Sequence, residues 1–199
     1  MLLYNSEVSG NCYKVRLLLA QLGLEYETVD VSVVDRTNRP ELLGELNPAL
    51  RVPTLVLDDG RALAESNAIL WYFGDSTAYV PSDPYERAQV LQWLFFEQYS
   101  HEPNIAVVRF WLAYSGTPDR FADQVPARVK AGYAALDAME RHLAGREFLV
   151  GPRYSIADIG LYAYTHVAHE GGFELGSYPA IRAWLERVVA QPGHVTIEA

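Results

Sequence analysis

Cysteine is nearly absent: Cys12 is the only one in 199 residues. A lone thiol excludes an intrachain disulfide, a C-x-x-C dithiol and a Cys-rich zinc site. Positive charge is also scarce, with 16 Lys and Arg against 25 Asp and Glu and a formal net charge of -9. That leaves no basic face to release counterions from phosphates, so no nucleic-acid partner is expected. Apolar runs stop well short of the roughly 20 residues that span a bilayer, and the N-terminus lacks the basic, apolar and small-residue order of a signal peptide. The expectation is a cytoplasmic protein with no membrane partner. Repeats and low-complexity segments are missing as well. His166 and His169 stand three apart on an expected helix, but no third ligand accompanies them, so no metal is expected.

What is present suits ordinary globular folding: 50% hydrophobic and 12% aromatic residues can bury one substantial core or two small ones. Leu2-Leu3-Tyr4 reads as a short buried strand, followed by a polar turn over residues 5–11. Val15, Leu18, Leu19 and Leu22 then recur at helical spacing until Gly23 stops the run. Residues 26–34 alternate as a second strand, which gives a parallel βαβ unit. Residues 36–46 read as a loop with room for one irregular helix, ending at Asn47-Pro48.

The most informative stretch is residues 51–70, RVPTLVLDDGRALAESNAIL. Thr54 to Leu57 is β-rich, Asp58-Asp59-Gly60 carries hairpin chemistry, and Glu65-Ser66-Asn67 places capping residues ahead of Ala68-Ile69-Leu70. Pro53 cannot sit in a central ladder, so it marks a special backbone site at the strand entrance. Main-chain groups of Val52 beside a helix mouth suit an extended peptide whose carboxylate meets the helix N–H groups. Residues 75–84, DSTAYVPSDP, form the best linker, so the expected domains are 1–78 and 85–199. After the linker every segment reads as helix: residues 85 to about 114, kinked or divided at Pro103, then 123–143, 155–169 and 178–190. Ser155 and Asp158 have capping-box spacing at the start of the third.

The run VPTL followed by ESNAIL resembles the glutathione-binding half of the cytosolic glutathione transferases, and the S-I-A-D box resembles the one that starts a core helix in their second domain. The likeness spans nearly the whole chain. It implies a thioredoxin-like N-terminal domain (βαβ-α-ββα) followed by an all-helical domain, and a homodimer. It further implies glutathione as co-substrate, a small electrophile as second substrate and no separate cofactor.

A thiol of pKa near 8.5 must be held as thiolate by a hydrogen-bond donor and a helix N-terminus, which coincide at residues 7–11. In the register S-x-x-C-x-x-V, Ser9 matches the serine of theta-type enzymes. In N-x-x-K-V the same register resembles the nu-type proteins, with Asn11 as a second donor. The alternative for both is helix capping. Cys12 lies a turn into the helix and reads as a small core residue, and Tyr4 falls at a strand end. By the same resemblance Glu65 and Ser66 receive the γ-glutamyl end, Val52 and Pro53 the peptide backbone, and Arg51, then Arg39, the glycyl carboxylate. Tyr99, His101, Phe110, Trp111 and Tyr114 are the candidates for an aromatic electrophile wall, with core or dimer-interface roles as the alternative. Conjugation is the first reading. A nu-like glutathione-dependent disulfide reductase or peroxidase and a non-enzymatic interaction module are the rivals.

Overall fold

Strand β1 (Leu2–Asn5) is flanked on one side by β2 (Glu27–Asp30), parallel to it, and on the other by β3 (Thr54–Val56), antiparallel to it. The hairpin adds β4 (Ala62–Ala64) beyond β3, so the sheet order is β2-β1-β3-β4. The computed structural model describes residues 1–199, and they gather into two units, Met1–Thr77 with Pro192–Ala199, and Ala78–Gln191.

In the first unit, α1 (Gly10–Leu22) crosses between β1 and β2, and Gly23 ends it in the left-handed conformation at φ 66°. A short α2 (Arg39–Leu43) follows β2, and α3 (Ser66–Gly74) follows the hairpin. Helices α1 and α3 pack together, and Leu3, Val15, Leu19, Leu55 and Ile69 join sheet to helices in one buried cluster. Each such side chain contributes about 1.5–3 kcal/mol by leaving water, which holds α1 against α3. The second strand is shorter than the alternation over 26–34 suggests. Its residues are mostly exposed, as suits an edge strand. The last eight residues, expected in the helical half, belong to the first unit: Tyr13 donates to the carbonyl of Val195 at 2.7 Å, and Arg16 donates to that of Ile197.

The second unit is helical. Helix α4 (Pro84–Phe96) starts on Asp83, whose carboxylate accepts from the N–H groups of Tyr85 and Glu86. It runs through a π-helical turn at Glu97–His101 into α5 (Glu102–Arg109), then through another at Phe110–Tyr114. The wider turn lets the Glu102 N–H reach back to Glu97 and sets Pro103 in the first turn of a new helix segment, where its missing N–H costs nothing. Helices α6 (Val125–Leu143), α7 (Ile156–Thr165) and α8 (Pro179–Val189) complete it. All of α7 is buried. The Asp158 carboxylate at its start accepts from Leu149 N–H, Ser155 N–H and O–H, and Trp184 Nε1–H. No helix is long and apolar enough to cross a membrane.

Candidate functional site

The mouth of α3 is built on a constrained backbone. Glu65, its N-cap, has φ 67° and ψ 112°, the left-handed half of φ that a residue with a Cβ rarely adopts, and holding it there costs about 1–3 kcal/mol. The constraint leaves the Glu65 side chain exposed at the rim and puts Ser66, 4% exposed, at the first helical position. Beneath it lies a charged side chain that is not among the expected site residues. Lys14 of α1 is fully buried, and its Nζ donates to Ser66 Oγ at 3.3 Å and to Asn67 Oδ1 at 3.5 Å. Ser66 Oγ in turn donates to Asn11 Oδ1 at 3.2 Å. Asn11 and Ser66, 55 residues apart, are therefore in direct contact.

At the other end of this contact is the turn before α1. Ser9 is its N-cap, with extended backbone (φ -81°, ψ 116°) and Oγ accepting from Cys12 N–H at 3.3 Å. Ser9 therefore caps the helix, but a hydroxyl that accepts as a cap still has a proton to donate. Arg16 shapes the turn from behind: its guanidinium donates to Asn5 Oδ1 at 2.6 Å and to the carbonyls of Ser6, Glu7 and Ile197. Cys12 is fully buried, and burial pushes its thiol up to about 11 against the smaller opposing pull of hydrogen bonds with Ser9 and Ser6. A buried thiol held protonated is no nucleophile.

The third side is the loop into β3. The Val52-Pro53 bond is cis, and the paired ladder begins only at Thr54, so Val52 lies beyond the last paired position. Asn47, 3% exposed, donates from Nδ2 to Arg51 O and to Thr54 Oγ1, both at 3.0 Å, while Thr54 Oγ1 donates to the same carbonyl at 2.8 Å. This small network fixes the backbone just ahead of Val52. The two candidate cations part company here. Arg39 is buried, its guanidinium committed to the carbonyls of Ser32 and Leu50, so it staples two loops. Arg51 is exposed and is the cation a carboxylate could reach.

In the second unit the five aromatic candidates do not form a single wall. His101 is a core residue: fully buried, its Nε2 lies 2.9 Å from Thr165 Oγ1. Thr165 gives its own proton to Leu161 O at 2.7 Å, so His101 is the donor of that pair. Tyr114 donates to Glu170 at 2.6 Å and accepts from Arg109 at 2.9 Å, and Trp111 stacks on Phe121 at 4.7 Å. Phe110 is half-buried and Tyr99 is 87% exposed. His166 stacks on Tyr162 and bonds its carbonyl, and no group of three or more His, Cys, Asp or Glu side chains gathers to hold a metal.

Comparison with known proteins agrees with this architecture. Residues 8–76 match the glutathione S-transferase N-terminal domain, and residues 104–192 match its C-terminal domain. A crystal structure of a glutathione S-transferase from Pseudomonas fluorescens superposes with TM-score 0.96 at 49% identity, covering 100% of this chain and 98% of that one. Glutathione S-transferase 3 of Zea mays is 30% identical over 96% of this chain and 89% of its own length. Disulfide-bond oxidoreductase YfcG of Escherichia coli is 29% identical over 92% of this chain and 87% of its own length. With its thioredoxin-like first unit and helical second unit, the chain belongs to the glutathione S-transferase family.

Proposed function

We propose that this chain binds glutathione in its first unit and activates the thiol for attack on a small apolar electrophile, as in detoxifying conjugation. The γ-glutamyl carboxylate meets the N–H groups of α3 at Ser66, and Glu65 at the rim answers its ammonium. The cysteinyl backbone runs along Val52 as an added strand, and the glycyl carboxylate turns toward Arg51. The sulfur then lies at the start of α1, where the helix dipole and the Ser9 hydroxyl favour its thiolate, with Asn11 as a second donor. The observation that supports this most is the direct contact of Ser66 with Asn11, because it sets the anion-binding helix mouth within one peptide's reach of the thiolate donors. The sulfur of glutathione is itself the nucleophile, so no covalent enzyme intermediate forms.

The same reading holds that the protein works in the cytoplasm as a homodimer. In support of pairing, Leu91, Phe95 and Tyr99 recur every four residues along α4 and its π-helical extension and are 37%, 70% and 87% exposed.

Glutathione-dependent disulfide reduction is the second reading. It is favoured by Asn11, rather than Ser9, being hydrogen-bonded to Ser66, and by the disulfide-bond oxidoreductase among the relatives. Calorimetric titration with glutathione, followed by parallel assays of conjugation to a chlorinated aromatic and of reduction of a small disulfide, tests both. Binding with conjugation supports the first reading, binding with disulfide reduction alone supports the second, and no binding supports a non-enzymatic interaction module.

A further inference from the structure

We infer that Lys14 is a positioning residue of the glutathione site: acting through Ser66, it fixes the direction of the Asn11 side-chain amide, so that Asn11 turns its nitrogen, not its oxygen, toward the bound sulfur. The inference rests on the placement of the sulfur at the start of α1 proposed above. Its basis is the order of donors in a buried chain. An ammonium has three protons and no acceptor, so in the 3.3 Å contact Ser66 Oγ must accept from Lys14. A serine hydroxyl has one proton, and the 3.2 Å contact gives it to Asn11. The Asn11 atom receiving it must be the carbonyl oxygen, which leaves the NH2 group to point elsewhere. Were Lys14 replaced by a group without protons, Ser66 could turn round and the Asn11 amide could flip at little cost.

Two features make this more than packing. Asn11 and Lys14 are three residues apart on one face of α1, the face that meets the start of α3. Lys14 is also fully buried, where a charged group needs polar partners, and those partners include the two first residues of the α3 mouth. A flipped Asn11 would set a carbonyl oxygen against a thiolate and raise the pKa of the bound thiol. Loss of the charge below Ser66 would separately weaken the hold on the γ-glutamyl carboxylate.

The test compares the wild-type protein with Lys14→Met, Lys14→Gln and Lys14→Arg, reading glutathione affinity by calorimetry and the pKa of the bound thiol by ultraviolet absorbance of the thiolate. Lys14→Met is expected to weaken glutathione about tenfold and to raise the pKa of the bound thiol by about one unit, with Lys14→Arg close to wild type. Lys14→Gln keeps a polar group of similar reach but can present either end to Ser66, so it should raise the thiol pKa even if Lys14→Met fails to fold. A fall in the unfolding midpoint with an unmoved thiol pKa in the folded variants would overturn the inference, leaving Lys14 a structural residue. Absence of glutathione binding by the wild-type protein is a different result and would overturn the site reading itself.

Discussion

Replacing Asp158 by Ala removes the acceptor shared by Leu149 N–H, Ser155 N–H, Ser155 O–H and Trp184 Nε1–H. The Ser155 hydroxyl can rotate away, but the three N–H groups are stranded in the core at about 2 kcal/mol each, or about 6 kcal/mol together. The burial of the carboxylate itself partly offsets this. Burial pushes the Asp158 carboxyl up to about 6, from 3.8, against the pull of those same donors. Keeping it charged near neutral pH therefore costs the folded state about 3 kcal/mol, which alanine recovers. The net loss near pH 7 is about 3 kcal/mol, or about 6–12 °C in the midpoint of a chain this size. The sign of the pH dependence follows from the raised pKa. The folded state binds the proton more tightly than the unfolded state, so the wild type gains stability as pH falls through the folded value, and this gain is complete below the unfolded value. The alanine variant lacks that gain, so its deficit should grow by about 1 kcal/mol between pH 7 and about pH 5. Urea unfolding of both proteins at the two pH values measures this. A deficit under about 1 kcal/mol near pH 7, or one that shrinks on acidification, would refute the reasoning.

Three further outcomes follow. Glu65→Gly relieves the backbone at φ 67° while removing the rim carboxylate, so the unfolding midpoint should hold or rise as glutathione affinity falls about tenfold; calorimetry and thermal scans together read the trade-off. Truncation after Gln191 takes the Val195 and Ile197 carbonyls from Tyr13 and Arg16, so glutathione binding should weaken because the turn that carries Ser9 loosens, visible as faster amide exchange across residues 5–16. Cys12, fully buried with its thiol pushed up to about 11, should resist a thiol-specific reagent in the folded protein near neutral pH and react only on unfolding; rapid labelling of native protein would contradict its burial.

Features carried by neighbouring residues were the legible ones. Pro53, the Asp58-Asp59-Gly60 turn, the caps at Ser9 and Ser155 and the stop at Gly23 each act within a few residues of themselves, and α1, the hairpin, α3 and α7 form where those signals stand. The site's supporting charges were not legible, because their partners lie far along the chain. Lys14 meets Ser66 across 52 residues, and Arg16 meets Ile197 across 181. In sequence each is simply a charged residue in a helix. Arg39 shows the converse: a cation near the expected groove, it is buried and donates to the carbonyls of Ser32 and Leu50, which no spacing rule reveals. His101 stands among the pocket candidates because the sequence of residues 85 to about 114 signals a break only at Pro103 and carries no sign of a π-helical turn before it. The π-helical turn at 97–101 places it instead against Thr165 in the core.

The most direct measurement is the ionisation of glutathione's thiol in the complex, followed by ultraviolet absorbance of the thiolate in the wild-type protein and in Ser9→Ala. The wild-type complex should titrate at least one unit below the thiol's usual value near 8.5, with Ser9→Ala moving it back up while affinity stays within about threefold. A bound thiol that ionises as it does in water, or one that Ser9→Ala leaves unchanged, would contradict a thiolate held at the start of α1.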